Sequence, residues 1–204
     1  MALARSLGRR ERNKIANRRQ ILRAALTVFS SIGYDASTIT DIVKTSGLSV
    51  GTFYNYYGDK DSVFAELVSD LLTEARQALN DARHSATSIE EFVAGAFLAY
   101  GELLQANPGM NQLIAKNTHA FRRFVFGGGD IDGIISDLEK DMTLAIEQGL
   151  LPPFHVRLMT SAMIGAGLEV FSMEDQDTSM TPESKAEFLG NLFLGGIARL
   201  AREH

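Results

Sequence analysis

The 204-residue chain has no cysteine, which excludes disulfides, thiol catalysis and thiolate metal sites, and suits a reducing compartment. Proline occurs only at Pro108, Pro152, Pro153 and Pro182, so the first 107 residues hold no hard helix breaker. No uncharged stretch approaches the roughly 20 apolar residues that a membrane-crossing helix requires. The basic start, MALARSLGRRERNK, lacks the apolar segment and small-residue cleavage site of a secretory signal. These absences lead us to expect a cytoplasmic protein without a membrane. No pair of histidines has helical metal-ligand spacing, and neither two-residue alternation nor an Asn-Gly hairpin points to a sheet.

What is present is an ordinary globular balance, 45% hydrophobic and 22% charged residues, with an uneven distribution of charge. The first 60 residues carry ten Lys/Arg against four Asp/Glu, a surplus of +6. The remaining residues carry ten against 21, giving −11. A basic head on an acidic body suggests that the head meets a polyanion and the body does not, although a cluster of solvated charge gives the same arithmetic.

Helical periodicity runs from end to end, and the chain reads as all-α. Ile15, Leu22, Ala25, Leu26 and Phe29 share one helix face, as do Val63, Leu67, Leu71, Ala75, Ala78 and Leu79. Similar spacing covers Ile89 to Ala106, Ile131 to Gln148, Val156 to Met173 and Glu183 to Arg202. Gly33-Tyr34 stops the first helix, and Thr38-Ile39-Thr40-Asp41 has capping-box form. Gly47 ends a helix of two turns, Ser49 can cap another, and Gly58-Asp59 caps a long helix from Lys60. Later breaks are expected at His84–Ser88, Asn107-Pro108, Phe126–Asp130, Gly149–Pro153 and Asp175–Pro182.

Two short helices separated by Ser46-Gly47-Leu48 have the spacing of a helix-turn-helix, whose second helix enters the DNA major groove. Glycine suits the turn, where a side chain would resist positive φ. Ile42, Val43, Leu48 and Phe53 are the apolar residues that would hold the pair together. The exposed remainder of the second helix would be Val50, Gly51, Thr52, Tyr54, Asn55 and Tyr56, which suit base edges, thymine methyls and phosphate oxygens. Lys60 adds a cation to amide donors at a helix N-terminus. A helical hairpin with an aromatic-rich turn is the plainer alternative.

The run Ile21 to Phe29, then Gly33-Tyr34, then Thr38 to Tyr57, then Asp59-Lys60-Asp61-Ser62-Val63-Phe64 resembles the N-terminal domain of the TetR family of transcriptional regulators over about 50 residues. The resemblance implies three short DNA-binding helices (residues 1–60 with the basic arm), a long linking helix from Lys60 to Ala82, and a helical ligand-binding and dimerisation bundle (residues 61–204). It implies that Thr40 lies near a phosphate or base, that Val50, Gly51, Thr52 and Asn55 face the groove, and that Tyr54, Tyr56 and Lys60 hold phosphates. Tyr57 departs from the usual phenylalanine, a change tolerable at a boundary. Arg5, Arg9, Arg10 and Arg12 form either a DNA-contacting arm or a solubilising disordered tail, and the tail is favoured.

The bundle matches the family in architecture alone. Apolar and flexible side chains suited to a ligand cavity include Phe97, Tyr100, Leu104, Phe121, Phe124, Met142 and Met163, with Phe92, Met110, Met159 and Phe171 in a wider set. Glu169, in an uncharged stretch, could meet a cationic ligand, pair with an arginine or lie at a solvated edge. His119, Arg122 and Arg123 could recognise an acidic head group or form a solvated turn. Gly165, Gly167, Leu192, Phe193, Gly196 and Ile197 are the expected dimer interface, with intrachain packing of the same faces as the alternative.

Catalysis has little support. Gly47-Leu48-Ser49-Val50-Gly51 fits a nucleophile elbow but follows a helix where a strand is required. Phe126-Gly127-Gly128-Gly129-Asp130 lacks the lysine of a phosphate loop. The expectation is a non-enzymatic, cofactor-free and metal-free homodimer that binds a double-stranded DNA operator. It would be a repressor in the first instance, released by a small apolar or amphipathic molecule. The alternative is a ligand-binding helical dimer that has lost DNA reading and acts through a protein partner.

Overall fold

The computed structural model describes residues 8–127, 130–173 and 180–200. Arg5, Gly128, Gly129, Asp175 and Arg202, which figure in the expectations above, lie outside them. The described residues form ten helices and no strand.

α1 (Arg9–Ile32), α2 (Ile39–Ser46) and α3 (Val50–Tyr54) build the head. The local chemistry sets their bounds. Thr38 Oγ1 accepts the Asp41 N–H, while the Asp41 carboxylate accepts the Thr38 N–H, a complete capping box. These bonds favour the ionised acid and lower the pKa of Asp41. Gly47 closes α2 at φ 69°, and Ser49 caps α3 through the Thr52 N–H. α1 differs from expectation. It has 24 residues rather than a short helix's length, and its first turns hold Arg9, Arg10 and Arg12, so these three are helical and not part of a loose tail. Nothing between Arg9 and Ile32 breaks a helix, and Arg, Lys, Gln and Ala all favour one.

α4 (Lys60–Ser85), capped by Asp59, runs from the head into the bundle and ends three residues beyond Ala82. α5 (Ile89–Ala106), α8 (Asp130–Glu147), α9 (Val156–Ser172) and α10 (Pro182–Leu200) fall where periodicity puts them. Two further helices, α6 (Pro108–Lys116) and α7 (Thr118–Gly127), fill the stretch between the expected breaks at Asn107-Pro108 and Phe126. α6 starts on proline, whose missing N–H costs nothing at a first position. α5 packs against α4 on one side and α10 on the other, and α8 and α9 close the bundle. α5 and α10 approach closely because a side chain at Gly190 would meet the Ala94 Cβ at 2.9 Å.

Head and bundle share one continuous core, and its joint is Tyr34. The Tyr34 ring meets Phe29, Phe64 and Phe124 at centroid distances of 5.7, 4.8 and 6.0 Å. Its hydroxyl donates to Asp61 and accepts from Arg123. Burial and that acidic partner push the phenol's pKa up to about 12. Its backbone N–H donates to Asn117 Oδ1, and Asn117 Nδ2 donates to Phe29 O at 3.0 Å and Leu113 O at 2.7 Å. One buried amide from the bundle thus holds three backbone groups, two of them at the end of α1. Lys60 braces the same turn: its ammonium donates to the carbonyls of Tyr34 (2.7 Å) and Ser37 (3.0 Å) and lies over the Tyr34 ring.

Asn117→Ala leaves the Tyr34 N–H without its acceptor and removes one of two donors from each of the Phe29 and Leu113 carbonyls, at a site 7% exposed. It should cost about 2–4 kcal/mol and lower the melting temperature by roughly 5–15 °C. Lys60→Ala, at a half-exposed site, should cost less. Thermal unfolding followed by circular dichroism measures both, and an unshifted Asn117→Ala transition would show that the joint does not support stability.

Candidate nucleic-acid interface and effector cavity

The helix-turn-helix presents one face inward and one outward. Ile42 and Phe53 are fully buried, Val43 is nearly so, and Leu48 packs against the same core. Gln20 on α1 donates to the Ser46 carbonyl, fixing the turn against α1. With its inner face committed, α3 turns Val50 (50% exposed) and Tyr54 (55% exposed) to solvent, with Gly51 beside them. Thr40 is exposed at the start of α2. Thr52 is half-buried, and its hydroxyl lies 2.8 Å from Ser49 Oγ. Asn55 and Tyr56 stand just beyond α3, which ends at Tyr54; Asn55 is its C-cap and is exposed, Tyr56 half-buried.

Lys60, the expected phosphate contact, lies against the turn after α1. Two of the three ammonium donors are engaged by the carbonyls of Tyr34 and Ser37, which the sequence could not signal because those acceptors lie 26 and 23 residues away. Tyr57 is buried, and its hydroxyl donates to Glu66 at 2.9 Å, where Arg18 also pairs at 2.8 Å. Burial first, and then the Glu66 contact, raise the pKa of the phenol. The tyrosine therefore joins α1 to α4. Beside α2, Arg19 and Arg23 line a groove with Gln20, Thr27 and Thr45. Sequence reasoning missed this basic strip, although i, i+4 spacing of Arg19 and Arg23 on α1 was a signal for it.

In the bundle, α4, α5, α8 and α9 enclose an apolar cavity of about 90 Å³, with Phe121 of α7 in its wall. Of the expected pocket residues, Phe97, Tyr100, Phe121 and Met163 line it, as does Phe92 from the wider set. Leu104, Phe124, Met142 and Glu169 do not. Leu104 is core, Phe124 packs on Tyr34 and Phe64, and Met142 is fully buried with its sulfur 3.8 Å from Thr160 Oγ1. Glu169 is exposed and faces Arg122 at 3.8 Å, combining two of its three expected roles. Arg123 belongs to the joint. Arg83, a buried cation in the cavity wall, was not foreseen.

The expected dimer residues also separate into two groups. Leu192 is 54% exposed, and a side chain at Gly165 or Gly196 would meet open space. Gly167 faces Phe97, Phe193 stacks on Phe97 at 5.8 Å, and Ile197 is buried, so these three pack within the chain. Leu158 and Phe188, 66% and 61% exposed, extend the outer apolar face and were not foreseen. Met159, Ala162 and Leu200 join Leu158, Leu192 and Gly196 in one groove there.

Comparison with known proteins agrees with this geometry. Residues 21–67 match the family described as bacterial regulatory proteins, tetR family. An uncharacterised HTH-type transcriptional regulator of Bacillus subtilis, YhgD, is 22% identical over 193 residues, covering 90% of this chain and 98% of its own. The HTH-type transcriptional repressor KstR2 of Mycolicibacterium smegmatis is 28% identical over 90 residues, and the match spans 44% of each chain. In fold, the chain resembles the transcriptional regulator FadR of Bacillus subtilis, solved in complex with stearoyl-CoA, with a TM-score of 0.75 at 20% identity over 87% of this chain and 98% of that one. Residues 21–67 thus carry the head of the tetR family of transcriptional regulators, on an all-helical body that shares the fold of this FadR.

Proposed function

We propose that the protein is a one-component, homodimeric repressor of the cytoplasm that places α3 in the major grooves of a palindromic operator and is released by an apolar or amphipathic effector. The observation that carries this reading is the outward face of α3 on a rigidly cored, basic head. Val50 and Gly51 allow close approach to base edges and thymine methyls. Thr52 and Asn55 supply hydrogen-bonding groups, and Tyr54, Tyr56 and Thr40 offer hydroxyls to the phosphate backbone. Arg19 and Arg23 add phosphate-directed charge beside α2.

Two heads are needed for a palindrome, and the outer face of α9 and α10 supports their pairing. Leu158, Phe188 and Leu192 are large apolar groups left in water, and Gly165 and Gly196 let a second copy of the same two helices come close. The cavity supports the release step. At about 90 Å³ it is smaller than the few hundred Å³ of a typical ligand site. An effector must therefore push its walls apart. α4 contributes Leu71, Leu72, Ala75, Leu79 and Arg83 to those walls, and its first residue is Lys60 at the joint. Displacing α4 changes the separation of the two α3 helices and so the fit to two half-sites. The stearoyl-CoA held by the FadR neighbour is consistent with an effector that has a long apolar part.

Selection of bound fragments from a random DNA pool at two salt concentrations tests the reading. Enrichment of a palindrome whose affinity falls steeply with salt is expected, and Thr52→Ala or Asn55→Ala should relax its sequence preference by about 1–3 kcal/mol at the affected position. A folded dimer that enriches no sequence would instead favour the partner-binding alternative. Leu192→Asp should split the dimer in analytical ultracentrifugation and lower operator affinity by more than tenfold; an unaltered mass would exclude α10 from the interface.

A further inference from the structure

The cavity wall is apolar apart from two side chains, Tyr100 and Arg83. The Arg83 side chain is only 2% exposed, and an ionised group at that depth is costly unless its donors are met. Its Nε donates to Asp141 at 2.8 Å and its Nη2 to Asn80. Of the five N–H donors of the guanidinium, those on Nη1 have no partner among the described residues. Fastening α4 to α8 does not by itself call for a cation in the wall, since Arg76 and Asn80 already reach Asp137 at 2.7 and 3.0 Å. The wall positions of α4 run from Leu71 to Arg83, a span of roughly 18 Å at the helical rise. With a volume of about 90 Å³ the space is a slot, and Arg83 stands at the end next to the α4–α5 turn, away from the head.

Taking the cavity as the effector site, we infer that it admits an unbranched chain ending in a carboxylate, with the acid on Arg83 and the tail running along α4 toward Leu71. A guanidinium fork matches a carboxylate in shape and charge. The incoming acid exchanges with Asp141, so the buried charge stays balanced, and Asp141, 24% exposed, is released toward solvent. An alcohol of the same length offers no such exchange. Loss of the Arg83–Asp141 pair unfastens α8 from the far end of α4, which turns recognition of the acid into freedom of the linking helix.

Isothermal titration calorimetry of the full chain with dodecanoate and dodecanol tests the inference. Dodecanoate should bind about tenfold or more tightly than dodecanol. Arg83→Gln should bring the acid down to the alcohol's affinity, and Asp141→Asn, which removes the competing carboxylate, should tighten the acid several-fold and leave the alcohol unchanged. Equal affinities in the wild type, or a preference that persists in folded Arg83→Gln, would overturn the assignment and leave the cavity reading intact. Should Arg83→Gln not fold, an Asp141→Asn protein with no gain for the acid overturns it equally. Ala75→Leu puts an isobutyl group into the slot and should block both ligands. Failure of both ligands to bind wild-type protein, or binding of both undiminished in Ala75→Leu, would remove the cavity as the effector site and the inference with it.

Discussion

The seat of Tyr34 is the interaction on which the rest of the molecule depends. Its ring closes the aromatic core formed by Phe29, Phe64 and Phe124, and its polar atoms engage Asn117, Asp61 and Arg123. The consequence is that α1, α4, α6 and α7 meet at one residue. The head is therefore held by the bundle through the continuous α4, through the packing of α1 on α6, where Ser30 Oγ donates to the Gly109 carbonyl, and through the Asn117 turn between α6 and α7. A hinge between head and body would need few crossing contacts, and here the crossing contacts are buried and hydrogen-bonded. Motion of the bundle must move the head as a packed unit.

That packing explains the division of labour among the charged side chains. Lys60 is drawn inward by carbonyls at the end of α1 and in the following turn, Arg18 is paired with Glu66, and Arg123 is committed to the joint. The basic surplus of the head is thus partly structural. The groups left facing water include those on the outer turns of α1 and beside α2. Charge in the body follows a different rule: Arg76 and Arg83 on α4 are met by Asp137 and Asp141 on α8, one polar seam along two helices. Asp137 is held at about 2 by the Arg76 and Asn80 hydrogen bonds, so its contribution is present above the ordinary value of 3.8 and lost as the pH falls toward 2.

Much of the fold was legible because its determinants are local. Thr38 with Asp41, Gly47, Ser49 and Asp59 each fix a helix end within a few residues, and their roles follow from their own chemistry. Positions that depend on distant partners were not legible in the same way. Phe193 and Leu192 are adjacent and equally apolar, yet one stacks on Phe97 and the other faces water, because α10 is apolar on more than one side and only the placement of α5 decides which is inner. The same holds for Lys60 and for Arg83, whose sequence neighbourhoods look like solvated helix surface. Leu104, Phe124 and Met142 were reasonable cavity candidates by type, and their packing partners lie elsewhere.

The length of α1 has a mechanical consequence. Arg9 is twelve residues from Ile21, the first buried residue of the helix, so the basic end stands roughly 18 Å from the point where the helix enters the core. Arg12, Arg19 and Arg23 fall on one side of this rod at spacings of seven and four. Cations on a loose tail adapt to any polyanion and lose entropy on doing so, whereas cations on a rod keep fixed intervals. Such a rail discriminates by stiffness: it fits a partner whose own charges keep a constant spacing, and gains little from one that bends away.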